Sequence, residues 1–170
     1  MKILIVDDKE ENLYLFKTFL NKSGYDVVTA GDGIEALEKL KKGAFDMIIS
    51  DILMPKMDGF QLCRECKKGV HLKKIPFVFN TSTYTDQKDE EFALSLGAEK
   101  CIVNPIEPDV FLKIVESVLK EHKEKPPVKT QKPEKEEVVF FEKYNRVLIN
   151  KLEQKVLDLE DVNKKLKESI

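Results

Sequence analysis

The chain has 170 residues, enough for one full domain with an appendage and short for two. Charged residues make up 35% of it and the formal net charge is −2, a balance that argues against nucleic-acid or membrane binding driven by bulk charge. The opening apolar run "MKILIV" meets Asp7 and Asp8 too soon for a signal-peptide core or a membrane span, so a cytoplasmic location is expected.

Over residues 1–121 short apolar runs alternate with helical patterns. Ile3–Val6 reads as a strand, and Leu13, Phe16 and Leu20 as one face of a helix. Val27–Thr29 is followed by Ile34, Leu37 and Leu40, and Met47–Ser50 by Phe60, Leu62, Cys63 and Cys66. Phe77–Phe79 precedes Phe92, Leu94 and Leu96, and Cys101–Val103 precedes Val110, Ile114 and Val118. Such repetition with short connections predicts an α/β domain built on a parallel sheet, and the nearly continuous apolar strands predict helices on both faces. Right-handed crossovers then give a doubly wound sheet of five strands. Three cysteines cannot all pair. Cys63 and Cys66 make a C-x-x-C without a second Cys or His pair at zinc spacing, which favours helix packing over a metal or redox site.

In a sheet of this kind the working site lies at the carboxyl ends of the strands. Those ends carry Asp7-Asp8, Asp51, Thr81-Ser82 and Asn104-Pro105. Three carboxylates converging on one edge repel one another without a cation. Oxygen ligands of this type suit Mg²⁺, which takes one or two carboxylates, keeps waters and accepts a phosphate oxygen. The plainer readings are that Asp7 or Asp8 caps the first helix, that Asp51 is a loop residue and that Thr81 merely ends a strand.

With "VDD" after the first strand, "SDILMPKMDG" around the third, "NTS" after the fourth and "NPIEP" after the fifth, residues 1–121 resemble the receiver domain of two-component response regulators. The resemblance implies a flavodoxin-like sheet of order 2-1-3-4-5. It implies that Asp51 is the phosphoacceptor and that Asp7, Asp8, Asp51 and the backbone carbonyl of Leu53 hold Mg²⁺. It makes Thr81 the hydroxyl that contacts the phosphoryl group, with a sensor histidine kinase or phosphotransfer protein as partner. The chain is then a signalling module and not an enzyme, apart from its own phosphoryl transfer; any output enzyme would lie beyond it. Leu53 and Thr83 stand where the family varies its dephosphorylation rate, and neither is charged, which predicts slow loss of the phosphoryl group.

Two positions depart from the family pattern. Asn104 replaces the lysine before the proline, and Cys101 replaces the switch aromatic. A charge-assisted hydrogen bond is about twice as strong as a neutral one, so the neutral amide of Asn104 forfeits on the order of 1–3 kcal/mol in the phosphorylated state. Two functional classes remain open: a phospho-switch, and a phosphorylation-independent interaction and dimerisation module.

Beyond the domain, residues 122–137 are rich in Pro, Lys and Glu and read as an extended linker. From Val138 a helical pattern runs to Ile170 without Gly or Pro, as expected of a fragment of a longer protein. A heptad places Ile149, Val156, Asn163 and Ile170 at a, and Leu152, Leu159 and Leu166 at d. That composition favours a parallel two-stranded coil, with Asn163 fixing register. A homodimer through residues 149–170 is therefore expected, against the alternative of an amphipathic helix packed back on a domain. Val138, Val139, Phe140 and Phe141 form an apolar cluster too dense to stay exposed. The lysines of this region alternate with glutamates, as on a solvated helix face, and no helix-turn-helix pattern is present, so neither nucleic acid nor membrane is an expected partner.

Overall fold

The computed structural model describes residues 1–83, 85–124 and 133–168, with side chains considered outside 123–141 and 168. Five strands, β1 (Lys2–Val6), β2 (Asp26–Ala30), β3 (Met47–Ser50), β4 (Phe77–Thr81) and β5 (Lys100–Val103), form one parallel sheet in the order β2-β1-β3-β4-β5. The helices are α1 (Glu10–Lys22), α2 (Gly33–Lys42), α3 (Gly59–Lys68), α4 (Gln87–Ser95), α5 (Pro108–Glu124) and α6 (Pro133–Glu168), with a short 3-10 turn at Leu72–Lys74. Alternation of side chains along the strands divides the core into two layers. Ile3, Ile5, Ile49, Val78 and Ile102 meet Phe16 and Leu20 of α1 and Phe111, Val115 and Val118 of α5. Leu4, Val6, Ile48, Phe77 and Phe79 meet α2, α3 and α4 through Ala36, Phe60, Leu62 and Phe92. This is the doubly wound α/β architecture that the strand–helix alternation predicts, in the flavodoxin-like strand order that the resemblance implies.

Some expected core positions lie outside it. Ile34, Leu94 and Val110 are exposed, because helical geometry turns them away from the stripe their neighbours bury. Cys63 and Cys66 are buried in the α3 layer, where burial pushes the Cys66 thiol up to about 12.

The tail departs from its expected boundaries. Residues 122–124 continue α5, and α6 begins at Pro133 instead of Val138. Lys and Glu are good helix formers and proline suits the first helical position, so a composition that reads as linker also extends a helix. The rest of the 122–137 segment, the side chains of 138–141 and residue Ile170 lie outside the described residues. The alternative of a helix packed back on the domain is realised over part of α6. Tyr144 and Val147 join the α3–α4 core layer, Lys151 is buried beside them, and Leu148 packs against the layer's edge. Ile149, Leu152, Val156, Leu159 and Leu166 are exposed.

Candidate functional site

The carboxyl ends of β1 and β3 bring three acids together. Ligand atoms of Asp7, Asp8 and Asp51 lie within 4.8 Å of one another. Asp7 is buried; its Oδ1 accepts from the Lys9 amide at 2.9 Å and its Oδ2 from Asn12 Nδ2 at 3.1 Å. The capping alternative does not describe either acid, since Lys9 is the N-cap of α1 and no side chain caps that helix. Asp51 Oδ1 accepts from the Ile52 amide at 2.8 Å. Burial, and then the charge of Asp7, push the Asp51 carboxyl up to about 6. Burial raises the pKa of Asp7 as well as that of Asp51, and a cluster of three carboxylates with only oxygen donors is matched to a hard divalent cation.

The loop after Asp51 is pinned by a close approach. A Cβ on Gly59 would stand 2.0 Å from the Asp51 carbonyl oxygen, and the Gly59 amide donates to the Ile52 carbonyl at 2.7 Å. Only glycine permits α3 to begin so near the acid cluster. Asp58 caps that helix, its Oδ1 accepting from the Gln61 amide at 2.9 Å while Gln61 Oε1 accepts from the Asp58 amide at 3.3 Å. The other Asp58 oxygen accepts from the Tyr144 hydroxyl of α6.

At the ends of β4 and β5, Thr81 is buried, and its hydroxyl is among the groups that partly offset the rise in the Asp51 pKa. Its Oγ1 lies 2.8 Å from Thr83 Oγ1 and accepts from the Thr83 amide at 3.2 Å. Asn104, expected beside Asp51, spends its amide on β4 instead. Nδ2 donates to Asn80 Oδ1 at 2.7 Å and to the Thr81 carbonyl at 3.5 Å, and the Asn104–Pro105 peptide is cis.

The residue that sequence reasoning missed is Lys151. A lysine in this Lys/Glu-rich helix reads as solvated, yet it is 2% exposed. Its Nζ donates to Thr85 Oγ1 at 3.0 Å and to Thr83 Oγ1 at 3.5 Å, and pairs with Asp89 Oδ2 at 3.5 Å. Cys101 lies within its electrostatic reach. No local signal marks Lys151; only its spacing from Tyr144 and Val147 hints that it shares their face. The helix also borders a cleft of about 340 Å³, with Leu148, Leu152 and Lys155 on one wall and Asp8, Leu53 and Asp58 on the other.

Residues 3–116 match the response regulator receiver domain family. The chain belongs to that family. Among curated relatives, the alkaline phosphatase synthesis transcriptional regulatory protein PhoP of Bacillus subtilis is 36% identical over 120 residues, 70% of this chain and 48% of PhoP. The sensor protein EvgS of Escherichia coli is 36% identical over 111 residues, 65% of this chain and 9% of EvgS. The chain thus spans about half of one relative and a small part of the other. Among solved structures, the receiver domain of a signal transduction histidine kinase from Syntrophus aciditrophicus has a TM-score of 0.66 at 32% identity, covering 77% of this chain and 98% of that one. The chemotaxis protein CheY4 of Vibrio cholerae has a TM-score of 0.65 at 35% identity, covering 69% of this chain and 97% of that one. Receiver domains are phosphorylation-responsive modules of two-component systems and generally hold Mg²⁺ in an acidic pocket; here the acidic cluster is Asp7, Asp8 and Asp51. No helix among the described residues is long and apolar enough to cross a membrane.

Proposed function

We propose that this receiver accepts a phosphoryl group on Asp51 from a phosphohistidine of a sensor histidine kinase or phosphotransfer protein, and passes the state to α6. The observation that carries the reading is the acidic cluster itself, in which Asp51 is held against its own ionisation by burial and by Asp7. Asp7, Asp8, Asp51 and the Leu53 carbonyl would hold Mg²⁺, whose charge offsets the repulsion between carboxylate and phosphoryl group. An Asp51 oxygen forms the new O–P bond as the P–N bond of the donor breaks, and the electron pair returns to the imidazole nitrogen. The buried Thr81 hydroxyl would donate to the added phosphoryl group. Uptake from acetyl phosphate with Mg²⁺, read as a mass increase absent from Asp51→Ala, tests the reading; an unmodified wild-type chain would sink it.

The exposed stripe of Ile149, Leu152, Val156, Leu159 and Leu166 supports pairing of α6 with a second copy in a parallel coil. Sedimentation at high protein concentration should find a dimer, and a persistent monomer would exclude it. A second reading, a phosphorylation-independent interaction module, is favoured by one observation: the amide at position 104 is neutral and committed to β4. Under that reading Asp51→Ala leaves partner binding unchanged.

A further inference from the structure

The hydroxyls at the end of β4 lie between Asp51 and the buried ammonium of α6, and a phosphoryl group on Asp51 would fix their donor directions. Lys151 has only hydrogens to give, so Thr83 Oγ1 accepts from it. When Thr81 gives its hydrogen to a phosphoryl group on Asp51, Thr83 is the donor at the 2.8 Å contact between the two hydroxyls. In that state every hydrogen in the series Lys151, Thr83, Thr81 points toward Asp51. Such a chain polarises cooperatively and carries the influence of the cation to its far end. Asn104, on the neighbouring strand, brings no charge.

Resting on Asp51 as the phosphoacceptor, we infer that Lys151 is a positioning residue for the phosphoryl group: acting through Thr83 and Thr81, it supplies from α6 the positive influence that Asn104 does not, so that phosphorylation of Asp51 and docking of α6 strengthen one another. A phosphoryl group is a stronger acceptor than the carboxylate it replaces and draws the Thr81 hydrogen more firmly. Each donor behind it shortens in turn, and the contact with most room to shorten is the 3.5 Å one between Lys151 and Thr83. Asp89, 3.5 Å from the ammonium, holds Lys151 in place before the phosphoryl group arrives. Burial draws the Lys151 pKa below the ordinary lysine value and Asp89 opposes that pull, so a second negative group at the end of the chain further favours the buried cation. Reciprocity follows from linkage: whatever docked α6 contributes to the phosphorylated state, that state returns to docking.

The test uses the full chain with beryllofluoride and Mg²⁺, titrated calorimetrically, with amide hydrogen exchange followed across residues 142–152. Binding to the wild type should increase protection of this segment. Lys151→Met should lower the affinity for beryllofluoride by about tenfold, the scale of one charge-assisted hydrogen bond, and abolish the gain in protection. Thr83→Val keeps the ion pair with Asp89, and with it the basal protection of α6, but should lose the gain on binding; this variant carries the test if Lys151→Met unfolds. Adding Asn104→Lys to Lys151→Met should restore affinity without restoring the gain, a split that a merely structural lysine does not produce. Equal affinities for wild type and both single variants, or protection of α6 that falls on binding, overturns the inference and leaves the phosphoacceptor reading intact. A wild-type chain that binds no beryllofluoride and takes no phosphate overturns both.

Discussion

The two halves of the sheet's carboxyl edge are built differently. At β1 and β3 the acid cluster is assembled from residues close to their strands: Asp7 and Asp8 follow β1 directly, Asp51 follows β3, and Gly59 lets α3 close behind them. At the ends of β4 and β5 stand the neutral groups Thr81, Thr83 and Asn104, and the charge arrives from Lys151, 68 residues beyond Thr83 in sequence. The first half is complete within the receiver; the second is completed by the appended helix. A domain can thus keep its acidic pocket while delegating its cation to a neighbouring element, which ties the chemistry of the pocket to the placement of that element.

The largest effect on this contrast should come from the delegated side. Asp89→Ala leaves Lys151 buried without its carboxylate partner, and breaking a buried pair in this way costs about 3–5 kcal/mol. Urea denaturation should show that loss, and a change below about 1 kcal/mol would mean that α6 leaves its seat at little cost.

The acid cluster should respond in the opposite direction. Asp51 has its pKa raised in the folded chain from 3.8 to about 6, so its ionised form penalises folding. That penalty is absent below about pH 4, grows as pH rises toward 6 and is complete above it, at about 3 kcal/mol. Without divalent cations at pH 7, Asp51→Asn should therefore be more stable than the wild type, with the advantage vanishing at pH 4. Added Mg²⁺ should narrow the gap by stabilising only the wild type. Thermal unfolding with and without chelator measures both, and an advantage unaffected by pH would refute the electrostatic cause.

A smaller effect is expected at the second tie to α6. Tyr144→Phe removes the hydroxyl that donates to Asp58 while keeping the ring against Phe60, at a cost of about 1.5–3 kcal/mol for a bond to a carboxylate. Proteolysis of α6 under native conditions should accelerate accordingly, while uptake of phosphate should persist because Asp58 is not among the clustered acids. The smallest effect concerns kinetics. Leu53 borders the cleft and offers no side-chain hydrogen bond to orient water, so Leu53→Asn should shorten the lifetime of phosphorylated Asp51. A lifetime unchanged by that variant would remove Leu53 as the cause of slow hydrolysis.

The strands, the helices between them and the acid cluster are legible because their causes are local, whereas the strand order follows from the resemblance that the four motifs carry. An apolar run followed by an acid marks a strand end, whereas the need for glycine at position 59 shows only in the structure, where a Cβ would meet the Asp51 carbonyl oxygen. The same local logic fails at α6. Lys151 resembles every other lysine of a charged helix, and its burial depends on Thr83, Thr85 and Asp89 meeting it from a distant part of the chain. Asn104 was placed at the correct strand end, but its amide was claimed by Asn80, a pairing set by register between β4 and β5 that sequence spacing does not reveal. The helix boundary at Pro133 was missed because Lys and Glu serve a solvated linker and a helix equally well.

The exposed part of α6 gives the docking geometry a mechanical meaning. From Val156 to Glu168 the helix continues for 13 residues, about 20 Å, past the segment seated on the domain. Tyr144, Val147 and Lys151 act as a fulcrum on which that arm rests. A tilt of about 10° at the fulcrum moves the far end by roughly 3–4 Å, comparable to most of one helical turn. A change in the Lys151–Thr83 contact that tilted the helix at these residues would be magnified along the arm.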